Sequence, residues 1–235
     1  MAQVQRKKNN EVKSSQKTFI VLGVGVLIAA IIAISASGNS TSSVSTEPTT
    51  SVAGSVTVGE YQPVSITGTK LSKLGDGGAD PSTDSAMGKT APTLRGFNFA
   101  GTPVSIVPGA NSQPIMVVFL AHWCPHCNRE VPRLIDWKEK GQVPQGLRVI
   151  GITTSSLNDQ ANWPPSAWIQ TMKWPFEVMA DSEAADAAGA YGVDGFPFIA
   201  ILDAQGHVVG RHSGELEIAD LDAFVRSSLA SSASN

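Results

Sequence analysis

The chain has 235 residues, of which 42% are hydrophobic and 16% are charged, and its formal net charge is −3. This balance excludes an intrinsically disordered chain, which would carry fewer apolar residues, and a nucleic-acid-binding protein recognised by an excess of positive charge. The length allows one ordinary globular domain with additional segments.

The amino-terminal segment combines a basic tail with an apolar run. Residues 1–17 carry five lysines or arginines against one glutamate, and residues 18–36 are uncharged. The length of this run approaches the roughly 20 residues that span a bilayer as a helix. The pattern predicts a single-pass transmembrane anchor in the cell membrane, with a cytoplasmic tail and an extracytoplasmic carboxyl-terminal domain. A cleaved signal peptide is the alternative, and it would export the same domain.

Two further segments precede the main domain. Residues 37–55 are rich in serine and threonine and almost free of large apolar side chains, which predicts a linker. Residues 56–90 form an amino-terminal extension, in which Val64 and Ile66 alternate as in a strand before Gly, Asp and Pro turns. We expect this extension to lie against the main domain, where it either covers the functional site or pads the fold.

Residues 91–235 alternate between apolar strands and amphipathic helices. After a first hairpin that contains "PVSIV", the run "PIMVVFLA" has the continuous apolar character of a strand buried on both faces. The remaining elements are the helix "CNREVPRLIDWKEKG", the strand "GLRVIGITT", the helix "PSAWIQTMK", the strand "FEVMAD", the helix "SEAADAAGAYG", a hairpin of "PFIAILD" and "HVVGRHSG", and the helix "EIADLDAFVRSSLA". This order predicts an α/β fold with a mixed central β-sheet and helices on both faces.

The only two cysteines, Cys124 and Cys127, lie where the buried strand passes into the first helix. A cysteine at the amino end of a helix faces unpaired backbone N–H groups and the positive end of the helix dipole, which favour the ionised, nucleophilic sulfur. Pro125 and His126 separate the two cysteines, and a neighbouring imidazole also stabilises a thiolate. We expect Cys124 to react first and Cys127, one helical turn further on, to resolve the mixed disulfide.

Two other uses of these cysteines are open. An inert structural disulfide is disfavoured because so short a loop gains little entropic stabilisation. A copper-binding module would draw on the side chains of His122, Cys124, His126 and Cys127, which suit that metal, whereas a structural zinc site would need a second cysteine pair. We expect no metal and no cofactor other than a redox-active Cys124–Cys127 disulfide, with the copper-binding module as the alternative from another class of function.

With these elements in order, the chain resembles the membrane-anchored, extracytoplasmic thioredoxin-fold proteins of the TlpA/DsbE type over roughly residues 91–230. The stretches that carry the resemblance are "APTLRGFNFAGTPVSI", "WCPHCNREVP" and "YGVDGFPFIAILDAQGHVVGRHSG". The resemblance implies a thioredoxin-like fold and thiol–disulfide oxidoreductase activity. It also implies that Pro197 is a cis-proline facing the two sulfurs, and that Trp123 and Phe196 flank the groove for a substrate peptide.

Some positions bear on the details of that activity. Pro125 and His126 also separate the cysteines of strongly oxidising DsbA-type proteins. Glu130 occupies the Cys-x-x-Cys-x-x-Glu-x-Pro position of the family, where it is either a solvated first-turn acid or a proton-transfer group. Val118 stands where thioredoxin carries a buried acid, so proton transfer would fall to Glu130, His126 or water. Phe196 replaces the smaller residues common before the cis-proline.

These observations predict an extracytoplasmic enzyme that exchanges disulfides with protein or peptide thiols, more specifically an oxidase served by a membrane redox partner such as a quinone-linked oxidase. The reverse direction, reduction of apocytochrome c or of other protein disulfides in cytochrome c maturation, is the alternative. Peroxidase activity is disfavoured because Cys124 lacks the Thr-x-x-Cys context of peroxiredoxins. Nothing in the charge of the chain predicts a nucleic-acid partner.

Overall fold

The computed structural model describes residues 58–75 and 83–232. The predicted cytoplasmic tail, the transmembrane anchor and the linker all fall outside the described residues, as does the start of the extension. Across the part of the chain that is described, no helix has both the length and the hydrophobicity needed to cross a membrane.

The described elements follow the predicted order, and the strand-like alternation of the extension corresponds to a short strand, Ser65–Thr67. The strands are β1 (Ser65–Thr67), β2 (Thr93–Phe97), β3 (Pro103–Ile106), β4 (Ile115–Leu120), β5 (Arg148–Thr153), β6 (Glu177–Ala180), β7 (Phe198–Leu202) and β8 (Val208–Ser213). The helices are α1 (Pro125–Glu139), α2 (Pro165–Thr171), α3 (Asp186–Tyr191) and α4 (Ile218–Ser232), and a short 3-10 helix covers Ala110–Ser112.

All eight strands form one mixed sheet in the order β1-β2-β6-β5-β4-β7-β8, and β3 pairs with β2. Strands β4, β5 and β6 run parallel to one another, whereas β7 is antiparallel to β4 and β8 to β7. A central parallel β-α-β unit, followed by an antiparallel hairpin and a closing helix, is the arrangement of a thioredoxin-like fold. The predicted fold class of this domain is therefore confirmed.

The central strand β4 separates the two halves of the hydrophobic core, because its side chains alternate between the faces of the sheet. Phe119 packs on one face with Tyr191 of α3, and Leu120 packs on the other with Leu134 of α1 and Leu221 of α4. All six residues of β4 are buried, since helices cover both faces. The strand thus delivers the cysteines, which follow it directly, to a fixed position at the edge of the sheet.

The extension is part of this core. Leu71, Leu74 and Ala86 are buried in the same cluster as Phe119. Asp84 forms a two-point ion pair with Arg211 of β8, in which the Arg211 Nε lies 2.8 Å from the Asp84 Oδ2. Removing one partner of a fully buried ion pair typically lowers the free energy of unfolding by about 3–5 kcal/mol, so this contact fixes the extension to the sheet.

Candidate active site

Cys124 and Cys127 lie at the start of α1, immediately after the carboxyl end of β4. Cys124 has an extended backbone and occupies the N-cap position, and Pro125 begins the helix. Proline suits this first helical position because its missing N–H would have no partner there. The local sequence therefore places the Cys124 sulfur at the end of the helix where the backbone N–H groups are unpaired.

The two thiols differ in access to solvent and in environment. Both cysteines are free; Cys124 is 5% exposed and Cys127 is fully buried. The Cys124 Sγ lies 3.5 Å from the backbone oxygen of Phe196, and the Ala121 N–H donates to the Cys127 Sγ at 3.5 Å. Burial raises the pKa of the Cys127 thiol far above its ordinary value, despite that hydrogen bond. Cys127 therefore needs a base before it can act as a nucleophile.

The segment before β7 faces the cysteines. The Phe196–Pro197 peptide bond is cis, and the Pro197 oxygen accepts a hydrogen bond from Gly214 at 2.8 Å. The rings of Trp123 and Phe196 meet edge to face, with their centroids 6.1 Å apart. The structure thus brings the three residues of the predicted groove together beside Cys124.

Glu130 is in the second turn of α1 and is fully buried, so of the two roles left open by the sequence the solvated first-turn acid is wrong. The helix turns this side chain towards the loop between β8 and α4, where Oε2 accepts the Leu216 N–H at 3.0 Å. No hydrogen-bond partner for Oε1 is present among the described residues. Burial raises the pKa of Glu130 to about 7, which makes it a group that can both take and give a proton at neutral pH.

His126 is exposed, and its ring contacts Glu215 and Arg129. Its Nδ1 lies 3.0 Å from the Glu215 Oε1 and 2.8 Å from the Arg129 Nη2. Glu215 also accepts hydrogen bonds from Arg129 and Arg133. Sequence reasoning did not identify Glu215, because it lies 89 residues from His126 and belongs to no recognisable motif.

A second unforeseen feature is the loop after β5, residues 154–164. The carboxyl ends of the parallel strands β4 and β5 meet at one edge of the sheet, so this loop lies beside the segment that holds the cysteines. Its Ser155 oxygen accepts the Trp123 Nε1–H at 2.8 Å. The buried His122 ring lies 2.7 Å from the Ala161 oxygen through Nδ1 and accepts the Leu157 N–H through Nε2 at 3.1 Å.

The hydrogen bonds of His122 bear on the predicted copper ligands. Both ring nitrogens of His122 are directed at the loop, and His126 faces Glu215, so the four suggested ligands do not converge on one point. Within residues 58–75 and 83–232, no group of three or more His, Cys, Asp or Glu side chains is arranged to hold a metal ion.

Asn128 links the helix to its surroundings. Its Nδ2 donates to the Cys124 oxygen at 2.8 Å, and its Oδ1 accepts the Trp168 Nε1–H at 2.9 Å. The adjacent Asn162 donates to the His122 oxygen at 2.9 Å. These bonds fix the backbone on both sides of Trp123.

The extension supports the loop from outside. The Tyr61 hydroxyl donates to the Ser156 oxygen at 3.0 Å, and the Tyr61 ring lies 5.9 Å from that of Trp163. The Glu60 carboxylate accepts the N–H and the hydroxyl of Ser166 at 2.9 and 2.6 Å, which caps α2. The extension therefore contacts the loop beside the cysteines through Tyr61 and the helix that follows the loop through Glu60.

Comparison with known proteins agrees with the fold. The model of the AhpC/TSA family matches residues 87–211, more than half of the chain. The thiol:disulfide interchange protein DsbE of Pasteurella multocida is 29% identical over 104 residues, which are 44% of this chain and 52% of that protein. Probable nucleoredoxin 1 of Arabidopsis thaliana is 29% identical over 106 residues, 45% of this chain but 18% of that protein.

Among solved structures, a thiol:disulfide interchange protein of the thioredoxin family from Chlorobium tepidum TLS is similar, with 26% identity and a TM-score of 0.48. The match covers 61% of this chain and 98% of that structure. The chain spans about half the length of its DsbE relative and less than a fifth of the nucleoredoxin. Given the extent of the family match, the chain belongs to the AhpC/TSA family of thioredoxin-fold proteins.

Proposed function

We propose that this chain is a thiol–disulfide oxidoreductase that exchanges disulfides with protein or peptide thiols through Cys124 and Cys127. The observation that carries the proposal is the position of Cys124 at the amino end of α1, opposite the Phe196 oxygen, with Cys127 buried behind it. Support also comes from relatives named as thiol:disulfide interchange proteins.

In the oxidising direction, the cycle begins with a Cys124–Cys127 disulfide. A substrate thiolate attacks the Cys124 sulfur, a new disulfide forms between substrate and Cys124, and Cys127 leaves as a thiolate and takes up a proton. A second substrate thiolate then attacks the substrate sulfur of the mixed disulfide and releases Cys124. The substrate loses two electrons, and the pair gains them.

Glu130 is the proposed proton-transfer group of this cycle. It is buried one helical turn after Cys127, and its negative charge contributes to the raised pKa of the Cys127 thiol. A protonated Glu130 can give its proton to the leaving Cys127 thiolate, and an ionised Glu130 can accept the proton in the reverse direction. Val118 leaves no acid in the strand itself, so Glu130 supplies the function from the helix.

Trp123 and Phe196 are proposed to contact the substrate. Their edge-to-face rings flank Cys124, and the Phe196 oxygen faces the Cys124 sulfur at 3.5 Å. An extended substrate chain can hydrogen-bond to exposed backbone while its side chains pack on the rings. The bulk of Phe196 restricts this groove more than a small residue would.

The direction of electron flow follows from how well the reduced pair is stabilised. Pro125 and His126 resemble the dipeptide of strongly oxidising proteins, which favours the oxidase, with a membrane quinone-linked oxidase as electron acceptor. The contact of His126 with Glu215 favours the second candidate, because an imidazole held there does not support the thiolate directly. That candidate is a reductase of apocytochrome c or of other protein disulfides.

The proposed location is extracytoplasmic, with residues 18–36 as the anchor. The support is the uncharged run and the basic residues that precede it. This location is consistent with a stable disulfide, because disulfides persist outside the reducing cytosol.

Trapping of a mixed disulfide tests the activity. The full chain carrying Cys127→Ser, mixed with a peptide that contains one internal disulfide, should accumulate a covalent adduct at Cys124 that dithiothreitol releases. The Cys124→Ser chain is the matched control and should form no adduct. Oxidised wild-type chain should convert a two-cysteine peptide to its disulfide, mole for mole. Absence of the adduct together with stoichiometric copper retention, lost in either cysteine variant, would contradict the enzyme and support the copper-binding module.

A further inference from the structure

Glu215 lies in the turn between β8 and α4, opposite the first half of α1. One carboxylate there contacts three side chains of the helix. Its oxygens accept hydrogen bonds from the Arg129 Nη2 at 2.7 Å, the Arg129 Nε at 2.9 Å and the Arg133 Nη1 at 2.8 Å. Its Oε1 also lies 3.0 Å from the His126 Nδ1. The side chain retains 25% of its exposure, so the contact forms at the edge of the site.

These contacts join Glu215 by two routes to His126, one of the two residues between the cysteines. The Arg129 guanidinium has no acceptor atom, so His126 Nδ1 accepts a hydrogen bond from Arg129, which Glu215 holds in place, only when this nitrogen carries no proton. When Nδ1 carries a proton, in the neutral or the charged ring, it donates to Glu215 directly. In either protonation state, Glu215 determines where the ring stands.

Arg129 is also the cationic side chain of α1 nearest in sequence to Cys124. The hydrogen bond with Glu215 is the main cause that raises the pKa of Arg129, and the negative charge of an ionised Cys124 raises it further. That interaction is mutual, because the guanidinium attracts a negative sulfur as strongly as the sulfur attracts it. A carboxylate bound to Arg129 offsets this attraction.

We propose that Glu215 is a positioning residue that lowers the oxidising strength of the Cys124–Cys127 pair, by holding His126 and Arg129 in place and by offsetting the positive charge of Arg129. The inference rests on the proposed thiol–disulfide exchange and assigns to Glu215 the tuning of that reaction. A reduced pair that is less stabilised releases its electrons more readily, which makes the disulfide a weaker oxidant.

Glu215→Gln tests the proposal, because the amide keeps the size of the side chain and removes the charge. The full chain is equilibrated with mixtures of glutathione and glutathione disulfide, and the fraction of reduced Cys124–Cys127 is measured by alkylation and mass spectrometry. Two glutathione molecules give two electrons to the pair and become glutathione disulfide. We expect the equilibrium constant to shift about tenfold towards the reduced pair, which corresponds to about 30 mV.

Three further variants make the test specific. Glu217→Gln removes the same charge from the same turn, but Glu217 contacts Arg133 and not His126. Its equilibrium constant with glutathione should therefore stay within about twofold of the wild-type value. Glu215→Asp retains the charge and should restore most of the wild-type value. Arg129→Gln removes a positive charge beside Cys124 and should shift the equilibrium in the opposite direction, towards the disulfide.

An unchanged equilibrium in Glu215→Gln, or a shift towards the disulfide, would overturn the proposal, and so would an equal shift in Glu217→Gln. If Glu215→Gln does not fold, Arg129→Gln decides: an unchanged equilibrium in that variant, or a shift towards the reduced pair, would also overturn the proposal. Glutathione exchange by the wild-type chain separates a failure of the proposed function from a failure of the proposed role of Glu215. A wild-type pair that does not exchange with glutathione contradicts the proposed function, whereas normal exchange with identical potentials in all variants contradicts only the role of Glu215.

Discussion

A carboxyl group that is closed off from water, as that of Glu130 is, favours its neutral form, because the charged form has lost its hydration. Arg133 lies 3.7 Å away and the Leu216 N–H donates to one oxygen, but burial outweighs both and raises the pKa from 4.5 to about 7. Burial thus gives Glu130 a pKa that suits a proton donor and acceptor at neutral pH. From the sequence alone, this residue could equally have been an ordinary surface acid.

The raised pKa predicts how stability depends on pH. The unfolded chain loses this proton near pH 4.5 and the folded chain near pH 7, so the folded state binds more protons between those values. The free energy of unfolding therefore falls as pH rises through this window, by about 3 kcal/mol at 1.36 kcal/mol per pKa unit. Glu130→Gln should abolish this decline, so its stability relative to wild type should increase from pH 4.5 to pH 8 in urea denaturation.

The exposed Glu139 of the same helix provides the control for the loss of one negative charge, so the pH profile of Glu130→Gln is compared with that of Glu139→Gln as well as with wild type. Other titrating groups contribute equally to wild type and variant, so only the difference between the two profiles is interpreted. A difference that does not change with pH would contradict a raised pKa at Glu130.

In the exchange reaction, Glu130→Gln should also slow the step that requires Cys127 ionisation, by about a hundredfold at pH 7 if no water replaces the carboxylate.

At the scale of elements, the site is assembled from one helix terminus and three separate supports. The loop at residues 154–164 holds Trp123 and His122, the turn between β8 and α4 holds His126 and Glu130, and the extension holds the loop. The loop binds Trp123 and His122 through its backbone groups, and Tyr61 of the extension bonds to the loop backbone. The turn instead reaches His126 through the Glu215 carboxylate. None of these contacts depends on a recognisable sequence motif. That is why sequence reasoning located the cysteine helix but not the contacts that fix its surroundings.

Removal of the extension's hydroxyl contact tests this arrangement. Tyr61→Phe deletes the hydrogen bond to the Ser156 oxygen, and a hydrogen bond of this kind contributes about 0.5–1.5 kcal/mol. We expect local opening of the loop to become about two- to tenfold more frequent. Hydrogen–deuterium exchange should show this as faster exchange of the Leu157 amide, which donates to His122.

Tyr191→Phe is the matched comparison, since it also removes a hydrogen bond from a tyrosine hydroxyl to a backbone oxygen, that of Pro92. Tyr191 belongs to the core cluster that contains Phe119. Tyr191→Phe should not alter loop exchange beyond its effect on global stability. Equal acceleration in both variants would show that the extension does not support the loop specifically.

For the whole molecule, the predictions that the structure confirms are those that rest on short-range sequence patterns. The apolar run of β4, the helical spacing after it and the proline at the start of α1 each depend on neighbouring residues, and together they fix the thioredoxin-like order of elements. The burial of Glu130 and the contact of His126 with Glu215 depend on how α4 and its preceding turn return to α1, over 86 and 89 residues. Such long-range packing leaves no local signal in one sequence.

The central claim, that Cys124 and Cys127 form an oxidising pair, is tested most directly by the reduction potential of the full wild-type chain equilibrated with glutathione. The chain has no other cysteine, so the measured potential belongs to this pair alone. The account predicts a reversible two-electron equilibrium with a potential well above the roughly −270 mV of thioredoxin and towards the roughly −120 mV of a strong oxidant. A potential at or below about −270 mV would contradict the oxidase and favour the reductase.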